Sequence, residues 1–136
     1  MARTLLVDTG FLVALLNRRD SLHLWAKTQA PRYAPPWLTC EAVLSEAFHL
    51  LGAPGAPSLS ALLRRKALIP AFNIASDLDP VLKLMQKYAD LPISLADACL
   101  VHMTETLPDP VILTTDSDFR IYRRRNRQTV PCVLPT

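Results

Sequence analysis

The feature that most constrains the fold is the way in which short apolar runs end at acidic residues. Residues 3–8, RTLLVD, form an apolar run of strand length that ends at Asp8, and residues 9–19 follow with a helical pattern. Near the other end of the chain, the run VILTT at residues 111–115 precedes Asp116 in the same way. Strands that alternate with helices in this manner are typical of an α/β domain with a mainly parallel sheet flanked by helices.

Five more helices are predicted from N-capping residues and apolar periodicity. Most of them begin at a residue whose side chain can accept a hydrogen bond from a free amide of the first helical turn. The predicted helices are residues 21–30 capped by Asp20, residues 40–52 capped by Thr39, residues 58–68, residues 81–89 after Asp79-Pro80, and residues 95–107 capped by Ser94.

Proline and glycine mark the predicted breaks in this helical pattern. Pro31 is expected to stop the first of these five helices, and Gly52 is expected to end the second. Residues 53–57, APGAP, are then predicted to form a loop. The remaining extended segments are predicted at residues 35–39, 69–75 and 130–134.

The composition indicates a compact folded chain. Half of the 136 residues are hydrophobic, which is enough to build a core and argues against disorder. We expect a single domain over residues 1–136. Every apolar run is shorter than the roughly 18 residues of a membrane span. The three cysteines are widely spaced, which is typical of a reducing compartment, so the prediction is a cytoplasmic protein with no membrane segment.

The triplet Asp8-Thr9-Gly10 also occurs in aspartic proteases, where it carries the catalytic carboxylate. Those proteases are all-β proteins rich in turns and glycine, whereas this chain has three glycines and is predominantly helical in its predicted pattern. In an α/β fold, Asp8 lies instead at the carboxyl end of the first strand, where such sheets bind ligands. The protease alternative is therefore rejected.

Two further acids, Glu46 and Asp97, lie within apolar helices, where a charge is unfavourable unless it is paired or bound to metal. Each acid also has a purely structural explanation. Asp8, Asp97 and Asp116 can cap helices or turns, and Glu46 can extend from a half-buried helix to solvent. One shared cause explains all four acids more simply, and that cause is a hard divalent cation, Mg²⁺ or Mn²⁺, held by oxygen ligands.

In order and spacing, four segments resemble the acidic motifs of PIN-domain ribonucleases, and the pattern is close to the VapC-like toxins of type II toxin–antitoxin pairs. The segments are LLVDTGFLVALLNRRDSLH, EAVLSEAFHLL, SLADACLVHM and ILTTDSDFRIYRRR, and they span nearly the whole chain. The resemblance implies a single PIN-like domain and a metal-dependent endoribonuclease. Mg²⁺ or Mn²⁺ would activate the water that hydrolyses an RNA phosphodiester bond.

The resemblance also assigns roles to individual residues. The implied metal ligands and catalytic acids are Asp8, Glu46, Asp97 and Asp116, with Asp118 as a secondary candidate. Thr9 and Thr115 are expected to hold a carboxylate or a water through their hydroxyl groups. Glu41 is an alternative to Glu46, but it lies in the first turn of its helix, where the helix dipole alone favours a carboxylate.

Basic residues shortly after Asp116 predict contact with a polyanion. The predicted RNA-binding residues are Arg120, Arg123, Arg124 and Arg125. They are expected to flank the acidic pocket and to neutralise RNA phosphates, which positions a substrate without specifying its sequence. A solvated basic surface without a partner is the alternative. Trp25, Trp37 and Tyr122 are candidates for base stacking, although packing in the core or a dimer is favoured for the two tryptophans.

The resemblance further implies two protein partners. One is a second copy of the chain in a homodimer, and the other is a cognate antitoxin that inserts an arginine into the acidic groove or covers it. Two alternatives to a toxin stay open at this point. They are a housekeeping RNA-processing nuclease and a catalytically silent PIN-like module that binds RNA or protein.

Overall fold

A computed structural model describes residues 3–125 and 127–136. Its strands are β1 (Thr4–Val7), β2 (Trp37–Thr39), β3 (Leu68–Pro70), β4 (Pro110–Leu113), β5 (Arg123–Arg124), β6 (Gln128–Thr129) and β7 (Cys132–Val133). Five of these form a sheet in the order β3-β2-β1-β4-β7, in which every pairing is parallel. Strands β5 and β6 form a separate antiparallel pair. The predicted α/β class with a parallel central sheet is confirmed.

The α-helices of the described residues are α1 (Thr9–Leu16), α2 (His23–Arg32), α3 (Glu41–Arg64), α4 (Leu78–Lys87) and α5 (Leu95–Thr106). Two short 3₁₀-helices, Ile74–Ser76 and Ser117–Arg120, complete the connections. Of these helices, α5 is buried along nearly its whole length. None of the described helices is long and apolar enough to cross a membrane.

The two central strands bring the ends of distant segments together. In the register of β1 and β4, Leu6 lies beside Ile112 and Val7 beside Leu113. The amide of Asp8 donates to the carbonyl of Leu113 at 3.0 Å, so the ladder continues to the last strand residue. Because both strands run in the same direction, the residues that follow them emerge at one edge of the sheet.

Phe11 joins helix α1 to its neighbours through the two tryptophans. Its ring lies edge-to-face with that of Trp25 at 6.1 Å between centroids, and with that of Trp37 at 5.5 Å. Such arrangements are favoured by the quadrupoles of the rings. The favoured packing role of both tryptophans in the core is thereby confirmed.

Helix α3 is longer than predicted because the chain resumes a helix directly after Gly52. This glycine has φ 61° and ψ −168°, so it ends the regular turn as expected and kinks the helix. The predicted loop over residues 53–57 is wrong, since these residues are helical. Pro54 lies in the first turn after the kink. A proline lowers the stability of a helix little at this position, because the amides of a first helical turn have no carbonyl partner within the helix.

Other predicted helix boundaries are wrong by a few residues. Pro31 lies inside α2, which ends at Arg32, and the amide of Tyr33 still bonds to the carbonyl of Gln29 at 3.0 Å. Pro31 has no amide hydrogen to donate to the carbonyl of Lys27, and the bond from Tyr33 to Gln29 closes the last turn. Thr39 belongs to β2 rather than capping α3, because its hydroxyl donates to the carbonyl of Val7 at 2.9 Å.

Helix α4 begins before its predicted cap. Its N-terminal flanking residue is Asp77, so Asp79 and Pro80 lie in the first turn instead of just before it. At the next helix the prediction is confirmed, since Ser94 caps α5 by accepting the amide hydrogen of Asp97 at 3.0 Å.

Candidate metal centre

Three carboxylates meet at the carboxyl edge of the sheet. Asp8 follows β1, Asp116 follows β4, and Asp97 is the third residue of α5. One oxygen of each lies within 4.8 Å of the oxygens of the other two. Three acids from widely separated parts of the sequence thus form one cluster.

Asp8 is almost fully buried and is held at both oxygens. Its Oδ1 accepts the amide hydrogen of Thr9 at 2.8 Å, which caps helix α1, and its Oδ2 accepts the hydroxyl hydrogen of Thr114 at 2.8 Å. Burial, with smaller contributions from the charges of Asp116 and Glu46, raises the pKa of Asp8 to about 6 although these two hydrogen bonds lower it. Asp8 therefore both caps helix α1 and belongs to the cluster of three acids.

Asp97 is the acid with the larger rise in pKa. Only 8% of it is exposed, and burial, followed by the charges of Asp8 and Asp116, raises its pKa to about 7. The hydroxyl of Tyr122 donates to its Oδ2 at 3.2 Å and opposes this rise, as does Ser94. Helix capping by itself does not explain why Asp8 and Asp116 lie beside Asp97.

Glu46 and Asp118 line the same cleft without belonging to the three-acid cluster. Glu46 is an exposed residue of α3, and its charge contributes to the raised pKa of Asp8. The amide of Asp118 donates to Oδ1 of Asp116 at 2.9 Å, which is the turn-capping arrangement that the sequence left open. Both carboxylates therefore face the cluster from the wall of the cleft.

The chemistry of the cleft fits a hard divalent cation. The cleft has a volume of about 580 Å³, and its lining among the described residues contains no lysine or arginine. Buried carboxylates with raised pKa values and no cationic partner are unfavourable by themselves. Clustered carboxylate oxygens are the ligands that Mg²⁺ and Mn²⁺ prefer. The cluster is therefore suited to hold such an ion.

Comparison with known proteins agrees with this arrangement. The family model of the PIN domain matches residues 5–125. The chain belongs to the PIN domain family. Among curated proteins, none matches the sequence significantly.

The crystal structure of VapC20 from Mycobacterium tuberculosis, a toxin that cleaves the sarcin–ricin loop, has a fold similar to that of this PIN domain. The TM-score is 0.74 at 21% sequence identity, and the alignment covers 85% of this chain and 92% of VapC20. At this level of identity the similarity establishes a common fold. The resemblance to PIN domains that the motifs indicated is confirmed.

Thr114 has the supporting role in this PIN domain that was expected of its neighbour. Its hydroxyl donates to Asp8, and its oxygen accepts the amide hydrogen of Asp116 at 3.0 Å. One side chain thus connects two members of the cluster. The sequence signal was the position of Thr114 directly after β4, where the strand register places it beside Asp8.

The two predicted hydroxyl residues lie at the cleft in other arrangements. Thr115 packs against Gly10 so closely that a Cβ atom at Gly10 would lie 2.0 Å from its Oγ1. The glycine of the Asp-Thr-Gly triplet is therefore required by this close approach. Thr9 is buried and its Oγ1 has no hydrogen-bond partner among the described residues. A ligand or water in the adjacent cleft would satisfy it.

None of the four predicted RNA-binding arginines lines the acidic cleft. The guanidinium of Arg123 donates to backbone carbonyls of residues 120–122. Arg124 donates to the carbonyl of Thr104 and Arg125 to the carbonyl of Glu105, near the C-terminal end of α5. Asp97 lies at the other end of that helix. The expectation that Arg124 and Arg125 flank the cleft is wrong, because β5 carries them along α5 away from Asp97.

The other two candidates for RNA contact differ in their exposure. Arg120 is exposed and follows Asp118 within the second 3₁₀-helix, so it is free to meet solvent. Tyr122 is completely buried, so it cannot stack on a base. Its contact with Asp97 is a role that the sequence reasoning missed.

Proposed function

We propose that this PIN domain is a metal-dependent endoribonuclease that acts as the toxin of a toxin–antitoxin pair. The observation that carries the proposal is the cluster of Asp8, Asp97 and Asp116. One oxygen of each lies within 4.8 Å of those of the other two, in a cleft that no lysine or arginine of the described residues lines. Membership of the PIN domain family and the fold shared with VapC20, itself a toxin, support it.

In this proposal the three clustered acids would hold Mg²⁺ or Mn²⁺, with Glu46 and Asp118 at the wall of the cleft. The bound ion would polarise a phosphoryl oxygen and lower the pKa of a water. The chain itself contributes orientation. Thr114 fixes the carboxylate of Asp8, and Ser94 places Asp97 by fixing the first turn of α5.

Arg120, which is exposed, is our candidate for an RNA phosphate contact outside the acidic cleft. Phosphate contacts of this kind position the substrate and are weakened by salt. We further propose a cytoplasmic homodimer that binds a cognate antitoxin across the acidic groove. The three cysteines are all free, which supports a reducing compartment.

The proposal is tested by cleavage of labelled structured RNA with Mn²⁺, with EDTA, and with the Asp97→Asn variant. Asp79→Asn is the matched control, because Asp79 is an exposed acid on α4 and undergoes the same chemical change. We expect cleavage by the wild type and by the control with Mn²⁺, and none in the other two conditions. Cleavage that persists in EDTA or in Asp97→Asn would contradict the metal-dependent mechanism.

Toxicity is tested by a growth assay that is separate from the cleavage assay. Induced expression should arrest growth for the wild type but not for Asp97→Asn, and co-expression of an antitoxin encoded next to the gene should restore growth. An active nuclease whose expression leaves growth unchanged would favour the housekeeping alternative. Intact Mn²⁺ binding without cleavage of any RNA tested would favour the silent module.

A further inference from the structure

Tyr122 is a buried aromatic residue whose polar end meets the acidic cluster. Its ring lies edge-to-face with the ring of Tyr88 at 5.2 Å between centroids, and with that of Phe119 at 5.3 Å. None of its surface is exposed. Its hydroxyl donates to Oδ2 of Asp97 at 3.2 Å. The side chain thus reaches from the apolar layer to a carboxylate of the cleft.

The packing of this ring does not explain the hydroxyl group. A phenylalanine would make the same edge-to-face contacts, without a polar atom that has to be satisfied in the interior. Among the described residues, the hydroxyl makes a hydrogen bond only with Asp97. The tyrosine hydroxyl is therefore explained by what it does to that carboxylate.

Asp97 needs such a restraint because its backbone alone does not orient its carboxylate. Helix α5 fixes the Asp97 amide through Ser94, but the carboxylate group can still rotate about the bond to its methylene. Asp8 is different, since both of its oxygens accept hydrogen bonds. A donor on one oxygen of Asp97 leaves the other to face the cluster.

We propose that Tyr122 is a positioning residue, whose hydroxyl holds the Asp97 carboxylate in the orientation that binds the metal ion. This inference rests on the proposed function. Groups that hydrogen-bond to metal ligands orient them and reduce the freedom lost when the ion binds.

The segment that carries Tyr122 is itself anchored on both sides. Its backbone amide donates to the carbonyl of Asp118 at 3.2 Å, at the end of the 3₁₀-helix that Asp116 caps. The amide of the next residue, Arg123, donates to the hydroxyl of Tyr88 at 2.8 Å. The position of the phenol is therefore tied to the turn that also carries Asp116.

The test is calorimetric titration of Mn²⁺ into the metal-free full chain, with the variants Tyr122→Phe and Tyr88→Phe. Both variants lose one phenolic oxygen from the same aromatic cluster, but only the first loses a contact with Asp97. We expect the Kd for Mn²⁺ to rise about tenfold in Tyr122→Phe, which is typical for loss of a group that orients a ligand. The Kd of Tyr88→Phe should rise by no more than about twofold, because its ring still packs against Tyr122 and its hydroxyl contacts the Arg123 amide and no acid of the cluster.

The Kd for Mn²⁺ distinguishes a hydroxyl that positions Asp97 from one that only stabilises the fold. A purely structural hydroxyl would lower the melting temperature of the metal-free protein but leave the Kd unchanged when it is measured well below melting. Circular dichroism confirms that each variant is folded at that temperature. In an Asp97→Asn background, Tyr122→Phe should produce no further loss of Mn²⁺ affinity.

The Kd values of the wild type and of the two variants decide whether Tyr122 positions Asp97. An unchanged Kd in Tyr122→Phe would overturn it, and so would an equal rise in Tyr88→Phe, because that would point to general loosening of the segment. Absence of Mn²⁺ binding by the wild type would overturn both this proposal and the metal-dependent function. Mn²⁺ binding without RNA cleavage would contradict the proposed function only, and the comparison of Kd values would still decide the role of Tyr122.

Discussion

Removal of one charge from the cluster should stabilise the metal-free protein, although it removes a proposed catalytic group. The perturbation is Asp97→Asn, which keeps the size of the side chain and an oxygen that can accept the Tyr122 hydrogen bond. Burial and the charges of Asp8 and Asp116 raise the pKa of Asp97 from 3.8 to about 7. The ionised carboxylate therefore destabilises the native state, and the neutral amide does not.

The magnitude follows from the size of this rise. At about 1.4 kcal/mol for each pH unit between the unfolded and folded pKa values, full ionisation of Asp97 costs about 4 kcal/mol. Burial of the polar amide of asparagine offsets part of this gain, so we expect an increase of about 2–4 kcal/mol in the stability of Asp97→Asn at pH 8. The folded pKa lies above the unfolded one, so the stability of the wild type increases as the pH falls from 8 through 7 towards 4. At pH 5 the advantage of the variant should shrink to less than about half of its value at pH 8.

The assay is urea denaturation in EDTA at pH 8 and at pH 5, followed by circular dichroism. Asp79→Asn is the control, since Asp79 is exposed in the first turn of α4. It loses a surface ion pair with Lys83 and a charge near the helix N-terminus, so its stability should fall by no more than about 1 kcal/mol, and equally at both pH values. If Asp97→Asn is no more stable than the wild type at pH 8, or if its advantage is the same at pH 5, the ionised Asp97 carboxylate is not destabilised by burial and by the charges of Asp8 and Asp116. The assignment of a metal cluster would then lose its electrostatic basis.

Three further predictions concern neighbouring side chains. Thr114→Val removes the hydroxyl that connects two cluster acids, and it should weaken Mn²⁺ binding by about tenfold or more in calorimetry; an unchanged Kd would contradict this role. Gly10→Ala should lower the free energy of unfolding by about 1–3 kcal/mol, because the new Cβ meets the Oγ1 of Thr115. Adding Thr115→Ala should restore most of that loss in urea denaturation, and failure to do so would exclude this contact as the cause. Arg120→Gln should weaken RNA binding and reduce its salt dependence, whereas Arg124→Gln should mainly lower the melting temperature; equal weakening of RNA binding by both would contradict their placement.

Much of the fold was predictable because local chemistry and the tertiary arrangement agree. Strand β4 reads as a continuous apolar run, and all four of its residues are buried in the centre of a parallel sheet. Ser94 caps α5 as its side chain predicts. Gly52 ends a regular helix as expected, but the sequence could not show that the chain would continue as a kinked helix. That outcome depends on packing after the kink, which local propensity does not describe.

The acids of the site were predictable because charges next to apolar strands and within apolar helices are unfavourable without a partner. Asp8, Asp97 and Asp116 carry that signal in the sequence, and the parallel register brings them together at one edge. The wall position of Glu46 was not predictable, since its side chain lies on an exposed face of α3 and its distance from the others depends on how the helices pack.

The residue types that gather at the edge of the sheet follow from the sequence, because the ends of apolar runs and apolar periodicity are local patterns. The hydroxyl groups that bond to these acids depend on the tertiary fold. Thr114 rather than Thr115 bonds to Asp8, and Tyr122 turns inward to Asp97 while Arg124 and Arg125 lie along the far part of α5. The physical reason is that a hydrogen bond requires an approach of about 3 Å with correct direction. Such an approach is set by the register of strands and the packing of helices that are distant in the sequence.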